Sequence, residues 1–392
     1  MRSWRSGAIL LLALQLCGCG TVTAWPSPAA TLTTPEATPS PSAQPSCAER
    51  VLAGMTMDQR IGQLFALGLL EDRLGTTEVG LIRNDHIGSV WFTSRTYSGI
   101  AGVRAVASAV QAQVSSGSTA RVGFFVAANQ EGGLIQSLQG SGFSTIPSAK
   151  VLGTWAPSVL QQRAATWGQQ LVAAGINLNF APVMDVVPPG TDASNQPIGV
   201  LQRGFGHDPQ TVAAHGLAFL AGMRQTGLAV TLKHFPGLGR VTGNTDFTTA
   251  TDTTTTAADT SLQPFQQGIK AKADFVMVAL ATYTRIDPGR LAVFSSPVMQ
   301  DLLRGRMGFE GVIISDDLGA AAAVSSIPPA RRAIDFLSAG GDMIVSKTPG
   351  PADAMVQAVR SMAASDPAFS ARVNDAALRV LQAKAAYGLL PC

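Results

Sequence analysis

Short, almost wholly apolar runs recur eight times along the chain, separated by alanine-rich stretches of helical character. Apolar runs without polar alternation are typical of strands buried on both faces, as in a parallel sheet covered by helices. Eight strand–helix units in about 340 residues predict a single-domain α/β fold, the closed (β/α)8 TIM-type barrel. An open doubly wound sheet is the alternative, but no Gly-x-Gly-x-x-Gly follows the first run. The predicted strands are Phe65–Leu70, Ile87–Phe92, Val122–Ala127, Leu178–Val186, Ala229–His234, Phe275–Leu280, Val312–Ser315 and Met343–Val345.

The first residues have the composition of an export signal. Arg2 and Arg5 precede an apolar stretch, residues 7–16, that is too short to span a bilayer. The stretch ends at Leu16-Cys17-Gly18-Cys19, which resembles the bacterial lipobox, where cleavage before the last cysteine leaves it to carry a lipid. We therefore expect a signal peptide over 1–18 and lipidation of Cys19, which would hold the exported protein on the outer face of the cell membrane. An ordinary secretory signal with two unrelated cysteines is the alternative.

A proline-rich segment separates this signal from the barrel. Residues 20–46 contain six prolines and one charged residue, Glu36, so 19–46 is predicted to be an extended tether and 47–392 the barrel. Cys47 and Cys392 stand at the two ends of that barrel. Domain termini often lie close together, and an exported protein meets an oxidising compartment, so a Cys47–Cys392 disulfide is predicted. Two unpaired thiols are the alternative.

Charge and histidine content limit the partners that the chain is expected to have. With Arg2 and Arg5 set aside, 26 basic and 25 acidic residues remain, so nothing indicates a nucleic-acid partner. The chain has four histidines, and no metal-ligand spacing joins them. We therefore expect a monomer without metal or cofactor, in contact with the membrane only through the lipid.

Polar residues follow several predicted strands, at the ends that line the active-site face of a barrel. A carboxylate at one strand end, with cations and amides at others, suits the binding and cleavage of a neutral polyhydroxy substrate. The segments are Asn129–Gly133, Asp185, Arg203–Gly206, Lys233–Gly237 and Ser315–Asp317.

These segments resemble family 3 glycoside hydrolases, in order and spacing along nearly all of 47–390. Lys-His-Phe-Pro-Gly-x-Gly at 233–239 is similar to the family's strand-five motif, and Gly-Phe-x-Gly before a strand and Ser-Asp at 308–316 is similar to its nucleophile segment. Asn-Gln-Glu-Gly-Gly at 129–133, Phe-Ala-Pro-Val-Met-Asp-Val at 180–186 and Arg-Gly-Phe-Gly at 203–206 also match. The nearest branch is the single-barrel β-N-acetylglucosaminidase type.

The resemblance implies a retaining glycosidase that cleaves β-linked N-acetylglucosaminides or related cell-wall glycans. Asp316 would be the nucleophile, and the alternative is a helix N-cap after strand seven. The remaining implied residues would hold sugar hydroxyls and the acetamido group; they are Asn129, Arg203, Lys233 and His234. Taken alone, His234 could also be a satisfied barrel histidine.

Four positions depart from the family pattern. Where the family's loop carries Asp-Ser-His, with histidine as acid/base, this chain has Asn244-Thr245-Asp246. Asp246 is the expected substitute acid/base, and an ordinary loop aspartate beside a turn is the alternative. Asn129 replaces an aspartate, Leu238 the histidine of Gly-His-Gly, and Gln136 a common arginine. These changes leave a second hypothesis open, a catalytically silent relative that binds glycan or an envelope partner.

Overall fold

The computed structural model describes residues 20, 21, 23–25 and 44–392. The chain divides into two units, Met1–Gln44 and Pro45–Cys392. In the first unit the described residues belong to no helix or strand. The lipidation prediction for Cys19, the signal peptide and most of the predicted tether lie outside the described residues. Within the described residues, no helix combines the length and the apolar character needed to cross a membrane.

Eight parallel strands close into a barrel in the second unit. Each strand pairs in parallel with its neighbours in chain order, and the last strand pairs with the first. The (β/α)8 prediction is therefore confirmed. The strands are β1 Phe65–Leu69, β2 Ser89–Phe92, β3 Phe125–Ala128, β4 Leu178–Asn179, β5 Ala229–Phe235, β6 Phe275–Val278, β7 Val312–Asp317 and β8 Met343–Ser346.

The fourth strand is much shorter than the prediction of Leu178–Val186. The regular ladder ends at Asn179. Beyond it, separate backbone hydrogen bonds and an isolated bridge between Val183 and Lys233 still join the segment to β5. Pro182 lies between these points and has no N–H to donate to a neighbouring strand. The apolar residues after Asn179 are nevertheless buried, which is why their composition resembled a strand.

Helices alternate with the strands. Thr56 begins the helix before β1 with a capping box, in which its side chain accepts from Gln59 N and the Gln59 side chain accepts from Thr56 N. The last helix starts at Pro367, and the Asp366 side chain caps it. The helices are Cys47–Gly54, Met57–Gln63, Thr76–Asn84, Gly99–Gln111, Ser116–Thr119, Ala149–Leu152, Pro157–Ala173, Pro209–Arg224, Gln263–Lys270, Pro297–Arg306 with π-type hydrogen bonds, Pro329–Ser338, Pro349–Ser365 and Pro367–Ala386.

The ends of the unit are joined covalently. Cys47 and Cys392 form a disulfide, with 6.1 Å between their Cα atoms, which is the pairing that the sequence predicted. The helix that begins at Cys47 packs against Pro367–Ala386. The first and last helices of the barrel unit therefore hold each other through side-chain packing and through a covalent bond.

A buried lysine lies near the N-terminal ends of the strands. Lys384 is fully buried, and its Nζ donates to Gln63 Oε1 at 2.6 Å and to the Gly88 carbonyl at 2.7 Å. Its nitrogen also lies 5.7 Å from the centre of the Phe125 ring. Burial lowers the pKa of Lys384 to about 7, so about half of the Lys384 side chains are uncharged near pH 7.

Candidate active site

A cavity of about 380 Å³ opens at the C-terminal ends of the barrel strands. It contains all of the residues that the sequence placed in a catalytic or substrate-binding role, although they come from five different segments of the chain. Those residues are Asn129, Arg203, Lys233, His234, Asp246 and Asp316. The strand ends of a (β/α)8 barrel converge on this face, which explains why residues far apart in sequence meet here.

Glu131 forms ion pairs with two basic residues at the bottom of the site. Its carboxylate accepts two hydrogen bonds from Arg203, both 2.8 Å long, and lies 2.6 Å from Lys233 Nζ. Lys233 also donates to Asn129 Oδ1 at 2.7 Å, and its side chain is 2% exposed. Burial alone would raise the pKa of Glu131, but the charges and hydrogen bonds of Arg203 and Lys233 outweigh burial and lower the pKa to about 2. Glu131 is therefore ionised at any working pH.

A buried histidine–aspartate pair lies beside this cluster. His234 Nδ1 is 2.8 Å from Asp185 Oδ2, and His234 Nε2 is 3.3 Å from Arg203 Nη2. Because Arg203 can only donate, these partners favour an arrangement in which His234 donates from Nδ1 and accepts at Nε2. Asp185 also accepts from the backbone N–H groups of His234 and Leu238. Both ring nitrogens of His234 are thus used within the protein, and the ring fixes the orientation of the arginine.

Two consecutive aspartates end β7. Asp316 lines the cavity and is half-buried, and the chain after it forms turns, with no helix until the short Ala322–Val324 turn. The N-cap alternative for Asp316 is therefore wrong. Asp317 accepts backbone N–H groups of Gly319, Ala320 and Lys347, and burial raises its pKa to about 6. The buried carboxyl of Asp317 ties the end of β7 to the end of β8, and this bond fixes the backbone next to Asp316.

The loop after β5 places Asp246 at the mouth of the cavity. Asn244 Oδ1 accepts from Asp246 N at 3.0 Å, so the predicted turn is present and Asp246 also faces the cavity. The pKa of Asp246 is raised because the cavity walls exclude water from its carboxyl and because the charge of Asp316 disfavours a second anion. Asp246 is nevertheless an exposed residue, so its carboxyl also reaches solvent at the cavity mouth.

Two of the departures from the family pattern have structural roles. The buried Gln136 side chain accepts from Ile146 N and donates to the Ser144 carbonyl, and so holds together the loop after β3. Leu238 is buried, and its carbonyl accepts from Asn195 Nδ2 at 2.7 Å. Neither residue offers a charge to the cavity.

Glu131, Asp185 and Asp317 are the site residues that sequence reasoning did not assign. Each stands inside a motif that the sequence made visible, but their partners are distant or are backbone atoms. Among the described residues, no group of three or more His, Cys, Asp or Glu side chains could hold a metal ion.

Comparison with known proteins gives one consistent result. The family model described as the glycosyl hydrolase family 3 N terminal domain matches residues 56–383. A β-hexosaminidase of Stenotrophomonas maltophilia is 32% identical over 336 residues, which is 83% of this chain and 92% of that protein. The structure of a β-N-acetylhexosaminidase from Beutenbergia cavernae is 47% identical, with a TM-score of 0.83, and covers 84% of this chain and 99% of that one. A Paenibacillus family 3 β-N-acetylglucosaminidase is 26% identical, with a TM-score of 0.76, and covers 86% of this chain and 63% of that one.

Proposed function

Because the chain belongs to glycosyl hydrolase family 3, we propose that it hydrolyses β-linked N-acetylglucosaminides or related cell-wall glycans through a covalent glycosyl-enzyme intermediate. Its relatives named β-hexosaminidase or β-N-acetylhexosaminidase support this assignment, since this chain spans nearly their whole length. Their names describe the substrate class of those proteins, and the carboxyl groups of this cavity supply the matching chemistry.

The observation that carries the proposal is the pairing of Asp316 with Asp246 in one cavity. The pKa of Asp246 is raised by burial and by the charge of Asp316, so that Asp246 holds its proton to a higher pH than an ordinary aspartate. A retaining glycosidase needs an ionised nucleophile beside a protonated acid. Asp316 is assigned the role of the ionised nucleophile, and Asp246 is assigned the role of the protonated acid.

The first step joins the Asp316 carboxylate to the anomeric carbon of the sugar while the bond to the leaving oxygen breaks. Asp246 gives its proton to that oxygen, so the leaving sugar departs as a neutral alcohol. In the second step Asp246, now ionised, takes a proton from water. The water oxygen bonds to the anomeric carbon, and the Asp316 carboxylate is released unchanged.

The floor of the cavity would hold the sugar that is transferred. Two of the three N–H donors of Lys233 bind Glu131 and Asn129, so one remains for a hydroxyl or acetamido oxygen of the sugar. Glu131 compensates one of the two cationic charges of Lys233 and Arg203, and both side chains carry N–H groups that can donate to the oxygens of a neutral sugar. Asn129 accepts from Lys233, and this bond orients its amide N–H groups for the substrate.

A silent relative that binds glycan without cleaving it is the competing proposal. It is favoured by Asn244, whose side-chain oxygen is engaged by the backbone of the loop and supplies no charge to support a general acid. The cavity would then bind a sugar through the same residues, but the protein would not cleave it.

Chromophore release from an aryl β-N-acetylglucosaminide tests the assignment. Asp316→Ala should abolish release because no intermediate forms without a nucleophile. Asp246→Ala should slow cleavage of a natural disaccharide by about 10²–10⁴-fold and that of an activated aryl glycoside much less, with external azide rescuing the second step. Asp301→Ala, which removes an exposed carboxyl outside the cavity, is the matched control. No turnover of any β-glycoside by the unmutated protein would favour the silent relative.

We also propose that the chain is exported and lipid-anchored through Cys19. The motive is the sequence of the first 19 residues, which carries a lipobox-like end after an apolar stretch. Cys19→Ala should move the protein from the membrane fraction to the soluble fraction of the producing cell. Retention of the variant in the membrane fraction would contradict the anchor.

A further inference from the structure

An exposed phenylalanine stands at the mouth of the catalytic cavity. Phe247 follows Asp246 directly, lines the cavity, and is 80% exposed. Leu134, on the loop after β3, also lines the cavity and is 55% exposed. Exposed apolar side chains that line the entrance of a binding cavity are in a position to contact a bound ligand.

The position of Phe247 is held by the backbone around it. Phe247 N donates to the Asn244 carbonyl at 2.9 Å, and the carbonyls of Thr245 and Asp246 accept from Ala323 N and Ala322 N at 3.1 and 3.2 Å. The last two bonds reach the segment that follows β7, which carries Asp316. The loop is thus fixed to the strand that supplies the nucleophile, and the ring is presented from a constrained backbone.

The order of residues in the loop indicates what the ring would touch. Under the proposed function, Asp246 protonates the glycosidic oxygen, and the leaving sugar is attached to that same oxygen. A side chain adjacent to Asp246 at the cavity mouth is therefore next to the leaving sugar, whereas Lys233 and Arg203, which also line the cavity, face the transferred sugar. The faces of a pyranose ring are covered with C–H groups, which pack favourably on an aromatic ring.

We propose that Phe247 forms a stacking platform for the leaving-group sugar, with Leu134 as an additional apolar contact, and that it sets a preference for leaving groups that contain a sugar ring. This inference rests on the proposed function for the position of the scissile bond. It assigns a role to an exposed aromatic residue of the loop that has no catalytic group.

The test is a comparison of two substrates that differ only in the leaving group. The first is the β-1,4-linked disaccharide of N-acetylglucosamine, and the second is methyl β-N-acetylglucosaminide, whose leaving alcohol has no ring and also needs a proton from the acid. The measured quantity is the ratio of the two kcat/KM values, which cancels a general loss of loop geometry. Phe247→Ala should lower this ratio about tenfold, and Phe247→Tyr should restore it because it keeps the ring.

Tyr97→Ala is the matched control, because Tyr97 is 67% exposed and lies outside the cavity lining. Its ratio should equal that of the unmutated protein. A ratio that Phe247→Ala leaves unchanged would overturn the platform, even if both individual kcat/KM values fall.

Failure of the proposed function gives a different pattern. If the unmutated protein cleaves neither substrate, calorimetric titration with the disaccharide and with N-acetylglucosamine replaces kinetics. A preference for the disaccharide that Phe247→Ala removes would still support the platform. Equal affinity for both sugars, or a preference that survives in Phe247→Ala, would overturn it.

Discussion

Glu131→Gln should destabilise the protein by about 3 kcal/mol, because the buried carboxylate is the anion that lies between two buried cations. The pKa of Glu131 falls from its ordinary 4.5 to about 2 in the folded state. A tenfold change in an acid constant corresponds to about 1.4 kcal/mol, so the ionised carboxylate is stabilised by about 3 kcal/mol. The variant also leaves Lys233 and Arg203 without an anion between them, and breaking buried pairs in this way costs about 3–5 kcal/mol.

The dependence on pH follows from the sign of that shift. A depressed pKa contributes stability that is fully present above the unfolded value of 4.5 and is lost as pH falls through about 2. Unfolding by urea should therefore give a difference between the unmutated protein and Glu131→Gln of about 3 kcal/mol at pH 7. The linkage relation reduces this difference to about 1.4 kcal/mol at pH 3.

The control is Glu310→Gln, whose carboxylate is largely exposed and lies 3.8 Å from Lys272. An exposed ion pair of this kind is worth about 0–1 kcal/mol, so this variant should unfold almost as the unmutated protein does. Two results would refute the reasoning: a Glu131→Gln variant as stable as the Glu310→Gln control, or a stability difference that does not shrink between pH 7 and pH 3.

Three further outcomes are expected. The kcat/KM for a natural disaccharide should fall as pH rises through the raised pKa of Asp246, because the acid must be protonated for the first step. A pH–rate profile that Asp246→Ala does not alter would contradict this prediction. Replacing Cys47 and Cys392 together by serine should lower the free energy of unfolding by about 2–5 kcal/mol, because the disulfide closes a loop of 345 residues. Urea unfolding measures this difference, and a variant as stable as the unmutated protein would contradict the prediction. The free energy of unfolding of the unmutated protein should rise by about 1 kcal/mol per pH unit between pH 7.5 and 9.5. The reason is that the folded state releases the Lys384 proton near pH 7, whereas the unfolded state keeps it. Lys384→Met should remove this pH dependence.

The barrel could be predicted from the sequence because its strands are buried on both faces and therefore stand out as continuous apolar runs. The exception was β4, where burial continued to Val187 but the regular ladder ended at Asn179. Composition reports burial, whereas Pro182, which has no N–H to donate, marks a place where regular pairing is interrupted.

The site could be predicted in part for a related reason. Residues at strand ends, such as Lys233 and Asp316, were visible because they interrupt apolar runs. The partners of Glu131 could not be deduced, since Arg203 is 72 residues away in sequence and only closure of the barrel brings the two together. The role of Asp317 was hidden because its carboxyl binds backbone N–H groups, which every residue carries.

The bonds that fix the 245–247 loop to the segment after β7 are made between main-chain atoms alone. Substitution at 246 or 247 can therefore change the chemistry of the loop while its path stays the same. One acid can therefore replace another at position 246 without a change in the hydrogen bonds that hold the loop. Joint replacement of Asn244 by Asp and Asp246 by His would install the family's aspartate–histidine pair on a backbone that already holds both positions.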